Sequence, residues 1–324
     1  MIGALRLSRL SKADAIGRHA GVPPVNIRDD QTPLPLTAVL TTIAATLIPH
    51  RIMASPTMIA AACGVILIGG LPHGALDLAV LRRDAEHRIG LVISLYLGLA
   101  VVMFATWQSA PTFALGLFLA MAITHFAEDW SEAEHPFFAL SIGVALLSSP
   151  ALLHHQAMGG LFVLLTGEPS AADLADVLLL VAPVAAACAL LAVLLLWQRG
   201  CRVTAVNAAC AVAAMILLPP VSGFAIYFCL IHSPVHFRAG MERLASATGV
   251  VRSTIIATLG GLAIALATLE FLPPAGPSSR LFAASFMTLS ILTLPHMAVP
   301  LIARRLGLSA RAERQRRSAG NRRP

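Results

Sequence analysis

The sequence is poor in charge. Asp, Glu, Lys and Arg together make up 12% of its 324 residues, whereas apolar residues make up 57%. A soluble domain carries roughly a quarter charged residues, because its surface must be wetted. So few charges exclude a water-soluble globular protein of this size, and we expect most of the surface to face lipid.

Signatures of several other protein classes are also missing. The five cysteines form no CxxC pair, so neither a disulfide framework nor a zinc ribbon is expected. The chain has no HExxH element and no Ser/His/Asp signature. The net charge of +7 is concentrated in terminal tails without aromatic residues, which favours tails near lipid headgroups and excludes a nucleic-acid partner.

Long apolar runs occupy most of the chain. A membrane-spanning helix needs roughly 20 residues, and open sheets do not occur in hydrocarbon. We therefore predict an all-α, polytopic transmembrane bundle of about ten helices, with eight to ten allowed by the short first and seventh runs. The predicted domains are a basic N-terminal tail (1–33), one transmembrane domain (34–303) and a basic tail (304–324). The apolar runs lie at 35–50, 56–80, 90–106, 112–127, 136–153, 173–197, 203–219, 221–237, 253–272 and 281–303.

The positions of the arginines and lysines test this arrangement of spans across the membrane. With ten spans, 21 of the 23 basic residues fall on the side of the two termini, and only Arg51 and Arg280 fall on the other. The basic side of a membrane protein is cytoplasmic. We therefore predict a multi-pass protein of the cell inner membrane with both termini in the cytoplasm. In this arrangement His154 and His155 are expected in the external loop after the fifth span.

Five of the eleven histidines lie in short motifs with polar residues, within the apolar runs. Each is in the inner half of an even-numbered span, so all five reach the same half of the bilayer. The pair in HSPVH is four residues apart and therefore projects from one helix face. Imidazole suits iron, zinc, copper and nickel, and these residues indicate a metal site. They are His73, His125, His232, His236 and His296.

Three acidic residues lie one turn from these histidines. Asp77 follows the first by four residues, and Glu128 and Asp129 follow the second by three and four. Each acid either accepts the second N–H of an imidazole or pairs with Arg82 or Arg238. The sequence leaves both roles open.

Other residues near the histidines carry weaker signals. Gly69, Gly70 and Gly74 predict a close approach between helices, and Pro234 is expected to bend its helix. The aromatic residues either line an apolar substrate channel or fill the bundle. They are Phe126, Trp130, Phe224, Tyr227, Phe228 and Phe237.

The histidines alone are compatible with other functions. A metal or proton transporter would use them as a relay, but it requires polar residues in both membrane halves, and the outer halves here are apolar. A haem-binding membrane subunit would use paired axial histidines. A desaturase-type di-iron enzyme needs more histidine boxes than the one HxxxH element present. A single membrane histidine usually bonds a neighbouring helix.

Four elements together resemble a known family. GLPHGALD around His73, HF-x-E-D from His125, the HSPxH pair and the late LPHM at His296 resemble the Brp/Blh family of membrane β-carotene 15,15'-dioxygenases in order and spacing. The resemblance covers roughly 56–303. The chain differs at Ala127, where glycine is expected, and at Val235, where an arginine commonly lies.

The resemblance implies an enzyme, an oxidoreductase that cleaves the central double bond of β-carotene with O2 to give two molecules of all-trans-retinal. It implies a ferrous ion as cofactor, with no catalytic side chain required beyond the metal site. His296 matches a further family histidine, expected beside the cavity. The implied partners are a carotenoid, O2 and the bilayer, with a retinal-binding rhodopsin as a further candidate. Carried over by position, the iron ligands are His73, His125, His232 and His236.

Overall fold

The computed structural model describes residues 36–84, 88–133, 135–244, 249–272 and 275–305. Within these ranges the chain is helical and contains no strand, which confirms the all-α prediction. Apart from the end of the last helix, the predicted tails lie outside the described residues. The helices are α1 (Leu36–Thr46), α2 (His50–Met53), α3 (Pro56–Asp84), α4 (Ile89–Ser109), α5 (Pro111–Ala127), α6 (Pro136–Ser148), α7 (Ala151–Thr166), α8 (Asp173–Gln198), α9 (Arg202–Leu217), α10 (Pro220–Tyr227), α11 (Ser233–Leu244), α12 (Val250–Thr268) and α13 (Pro277–Arg305).

Every predicted span corresponds to helical structure, but the helices differ in length. Among the described residues, six are long and apolar enough to cross a bilayer alone: those containing α3, α4, α5, α8, α12 and α13. α6 and α7 together form a seventh candidate, bent by 62° at the break between them. α1 and α9 are apolar but shorter, with 11 and 16 residues. The chain is thus a polytopic helical membrane protein.

The segment after α6 differs from the prediction. We expected the fifth span to end near residue 153, with His154 and His155 in an external loop, but both histidines belong to α7. The apolar sequence resumes directly after them, and α7 buries part of it against α8. His155 contacts Asp176 of α8 (Nε2–Oδ1 2.7 Å), and His154 stacks on His50.

α3 and α13 lie at the centre of the bundle. α3 packs against α10, α11, α12 and α13, and α13 also packs against α4 and α5. In α3 and in α13, 44% of the apolar membrane-spanning segment is buried inside the protein, compared with 17% in α4 and in α12. Because α3 carries His73 and α13 carries His296, two of the predicted site residues lie on the most enclosed spans.

The stretch from Pro220 to Leu244 is not a uniform helix. Between α10 and α11 it passes through one wide π-helical turn, Phe228–His232. Pro234 has no N–H to donate to the carbonyl four residues earlier, and its ring crowds that carbonyl. A wide turn immediately before proline relieves this conflict. The structure shows this wide turn just before Pro234, where the sequence predicted a bend, and His232 lies within the irregular turn.

Candidate metal centre

Five histidine side chains meet inside the bundle, from α3, the end of α5, the π turn, α11 and α13. Ring-centroid distances between neighbours run from 4.5 Å for His232–His236 to 6.1 Å for His73–His236. The centroid of each ring lies at a distance in this range from the centroids of at least two other histidine rings. The structure therefore brings together all five histidines singled out from the sequence. They are His73, His125, His232, His236 and His296.

Glycine permits the close approach of α3 to its neighbours. A Cβ atom at Gly70 would collide with the ring of Phe228 in the π turn. One turn later, a Cβ atom at Gly74 would lie 3.9 Å from Nδ1 of His296 on α13. The predicted close approach is confirmed at Gly70, where a side chain would collide with Phe228, whereas an added Cβ atom at Gly74 would make an ordinary contact.

Asp129 links the two histidines of the HSPxH element. It lies in a single 3-10 turn, Glu128–Trp130, that follows α5, and its side chain is only 3% exposed. Its Oδ2 atom is 2.9 Å from Nδ1 of His232, and its Oδ1 atom is 2.7 Å from Nε2 of His236. Of the two roles left open for this acid, the structure therefore selects the acceptor of imidazole N–H groups.

Tyr227 makes a third hydrogen bond to the same carboxylate. Its hydroxyl donates to Oδ2 of Asp129 at 2.7 Å, and the tyrosine is fully buried. A buried carboxylate is costly unless it is paired and hydrogen-bonded, so these three partners stabilise the charge. The sequence predicted Tyr227 only as one of six aromatic residues that either line a channel or fill the bundle. Residues five apart point about 140° apart in a regular helix, so its spacing from His232 carried no signal.

The other charged residues named from the sequence make weaker contacts with the histidines or none that the structure describes. Glu128 is partly exposed, and its Oε2 atom is 3.7 Å from Nδ1 of His125. Arg238 pairs with Glu242 at the surface (Nε–Oε1 3.3 Å), so among the described residues it does not neutralise the site acids. The side chains of Asp77 and Arg82 are not among those that the structure describes.

The rings are close enough for groups of these histidines to bind a metal ion, and the potential ligand atoms form two such groups among the described residues. An imidazole nitrogen binds a first-row ion at about 2.1 Å, which places neighbouring ring centroids roughly 4.6 Å apart at right angles and roughly 5.3 Å apart in a tetrahedron. The observed separations bracket these values. Nε2 of His232 and Nδ1 of His73 are buried with no hydrogen-bond partner among the described residues. Because unpaired buried polar atoms are costly, a cation that binds these lone pairs is favoured.

His296 approaches the other rings as closely as the four predicted ligands approach one another. Its ring centroid is 4.8 Å from that of His125 and 5.8 Å from that of His73. It also lines the cavity described below, where it was expected. Potential ligand atoms lie within 4.8 Å of one another in two groups, His73 with His125 and His296, and Asp129 with His232 and His236.

A cavity of about 240 Å³ is lined by three of these histidines, His73, His125 and His296. Its other walls are apolar except for Tyr96 and Thr293. Of the aromatic residues named from the sequence, three line it, whereas Trp130 is packed in the core. The cavity can therefore hold an apolar molecule against the histidines. The phenylalanines of the wall are Phe118, Phe126, Phe224 and Phe228.

The departure from the family pattern at Ala127 is accommodated by α6. Gly143 faces the end of α5 there, and a Cβ atom on it would lie 3.3 Å from Cβ of Ala127. The missing side chain on α6 leaves room for the methyl group on α5. Val235 is half-buried on α11, between the two histidines of the HSPxH element.

Fold and site together define a polytopic helical membrane protein with a histidine-lined apolar cavity. Residues 63–302 match the family described as β-carotene 15,15'-dioxygenase. A β-carotene 15,15'-dioxygenase from uncultured marine bacterium 66A03 is 30% identical over 259 residues, which cover 73% of this chain and 90% of that protein. No solved structure matches the chain. The chain belongs to the β-carotene 15,15'-dioxygenase family and is an oxygenase, which confirms the resemblance.

Proposed function

We propose that this protein is a non-haem iron dioxygenase that cleaves the central 15,15' double bond of β-carotene. The observation that carries the proposal is the convergence of five histidines, three of which line an apolar cavity, in a chain of this family. The reaction is balanced by one O2 for each carotenoid. One oxygen atom ends in each of two retinal aldehydes.

The ligands of the iron are His73, His125, His232 and His236. A ferrous ion bound there supplies the binding and activation of O2. Asp129 supports this assignment, because it accepts from Nδ1 of His232 and Nε2 of His236. A carboxylate that holds one ring nitrogen fixes the tautomer and leaves the other nitrogen as the ligand. In His232 that other nitrogen, Nε2, is the buried atom without a partner among the described residues.

The cavity walls position the substrate. β-Carotene is a hydrocarbon and offers no polar group for recognition, so shape and apolar contact must place its central bond beside the histidines. The phenylalanine rings of α5, α10 and the π turn provide flat apolar surfaces for a conjugated chain. They also exclude water from the site. His296, on the cavity wall, contacts the substrate without being an iron ligand in this proposal.

The membrane location is part of the proposal. The arginine pattern places the histidine end of the bundle toward the cytoplasm, in the inner membrane, with both termini inside. Both substrate and product partition into lipid, so the bilayer supplies one and receives the other. A retinal-binding rhodopsin is a candidate acceptor for the product.

The test is expression of the full chain in cells that accumulate β-carotene. We expect the colour to bleach and retinal to appear in extracts analysed by chromatography. The matched control is His232→Ala, which should leave the carotenoid intact. Retained colour with well-folded wild-type protein would refute β-carotene as the substrate. A Soret absorption band in the purified protein would favour the haem alternative instead.

A further inference from the structure

The histidine-lined cavity reaches the outer surface of the bundle between α4 and α12. Ile93 and Leu97 of α4 line the cavity and are also 38% and 57% exposed. On α12, Gly260 likewise lines the cavity and is exposed. These three residues surround an opening whose outer side is the lipid-facing surface of two of the least buried spans.

Helix packing explains why an opening exists there. α4 packs on α13, and α12 packs on α3 and α13. α13 therefore supports both helices from behind, and its residues Leu292 and Thr293 line the passage between them. At the inner end lies His73, whose buried Nδ1 atom has no hydrogen-bond partner in the described part of the chain.

The small residues of α12 have two different roles. A Cβ atom at Gly261 would lie 3.1 Å from Leu71 and 3.6 Å from Leu292, so this glycine serves helix packing. A Cβ atom at Gly260 would meet nothing within 4 Å. No described neighbour requires glycine at position 260, and the missing side chain there widens the opening.

We propose that the gap between α4 and α12 is the lateral entrance by which an elongated apolar polyene passes from the bilayer to the histidines, and that Gly260 sets its width. The inference rests on the proposed function, because it takes the substrate of that function as its occupant. A hydrocarbon dissolved in the bilayer would lose favourable transfer free energy by crossing water. A passage with apolar walls that opens into lipid avoids this loss.

Binding without turnover tests the entrance directly. The purified full-length protein, loaded with iron, is incubated with β-carotene micelles in the absence of oxygen and separated from them by gel filtration. Carotene retained per protein is then measured by its visible absorption. We expect Gly260→Trp and Ile93→Trp to lower retention by about tenfold, because an indole ring fills the opening. Iron content should not change in either variant.

Gly98→Trp is the matched control. Gly98 is an exposed glycine of α4 with nothing within 4 Å of an added Cβ atom, and it does not line the cavity. This variant should retain carotene like the wild type. Normal retention in both Gly260→Trp and Ile93→Trp would overturn the entrance, as would an equal loss in Gly98→Trp. If only the entrance variants lose carotene, but wild type forms no retinal when oxygen is admitted, the entrance stands and the proposed function fails.

Discussion

Nδ1 of His232 lies 2.9 Å from Oδ2 of Asp129, and both side chains are almost fully enclosed. The contact joins the turn after α5 to the π turn before α11. It therefore fixes the relative position of two elements that each bring histidines to the site. The carboxylate also leaves one defined nitrogen of His232 to face a cation.

Replacing Asp129 by asparagine should weaken iron binding without removing a ligand. The amide keeps the size of the carboxylate but loses its charge and one of its acceptors, and loss of such an orienting group lowers metal affinity by about 10–100-fold. Iron per protein after dialysis against a mild chelator measures the effect. Glu128→Gln is the control, since the Glu128 carboxylate is partly exposed and 3.7 Å from its histidine. Equal iron in Asp129→Asn and wild type would contradict the role of Asp129.

Tyr227→Phe should lower stability more than it lowers iron content. The phenyl ring keeps the packing, but the Asp129 carboxylate loses one of its three donors. A hydrogen bond to a charged group contributes about 1.5–3 kcal/mol. We expect a lower thermal unfolding temperature in detergent, together with iron retention above that of Asp129→Asn. A variant as stable as wild type would show that the hydroxyl does not support the carboxylate.

Alanine substitution of the five histidines separates ligands from cavity residues. His73→Ala and His125→Ala should lose iron, as should the two variants of the HSPxH pair. His296→Ala should keep iron and change the kinetics of carotenoid cleavage. Metal analysis of the five purified variants measures this. Loss of iron in His296→Ala, or full iron in His73→Ala, would require a different ligand set.

Gly143→Val should damage the site from a distance. A Cβ atom at Gly143 would meet the carbonyl of Ile123 and the backbone nitrogen of Ala127, just before the turn that carries Asp129. Overpacking at such a crossing costs about 1–3 kcal/mol. The expected result is a lower unfolding temperature with reduced iron. Gly116→Val, on α5 with open space around an added Cβ atom, should behave like wild type; equal melting of both variants would count against a tight crossing between α5 and α6.

The sequence predicted the helical class and the convergence of the histidines for physical reasons. Low charge and long apolar runs leave only helices as membrane-spanning structure, and ionisable residues within spans turn to the interior. The alternating direction of the spans was therefore enough to place His73 and His296 in the same half of the bilayer. The bend between α6 and α7 could not be predicted, because His154 and His155 look like loop residues when the packing of α7 against α8 is unknown.

The partners of Asp129 depend on tertiary packing. Its spacing of four from His125 suggested an effect on that histidine, whereas its hydrogen bonds go to His232 and His236 on another helix. The contact with Tyr227 depends on the wide turn before Pro234. Local spacing indicates which side chains share a helix face, but not which neighbouring helix that face meets.

The most direct test of the account is the yield of retinal per β-carotene consumed by the purified, iron-loaded protein. Cleavage at the central bond predicts two retinal molecules for each carotene lost, with one atom of labelled O2 in each aldehyde. His232→Ala should yield none. Products of unequal length, or retinal formed at the same rate without iron, would contradict central cleavage at this histidine site.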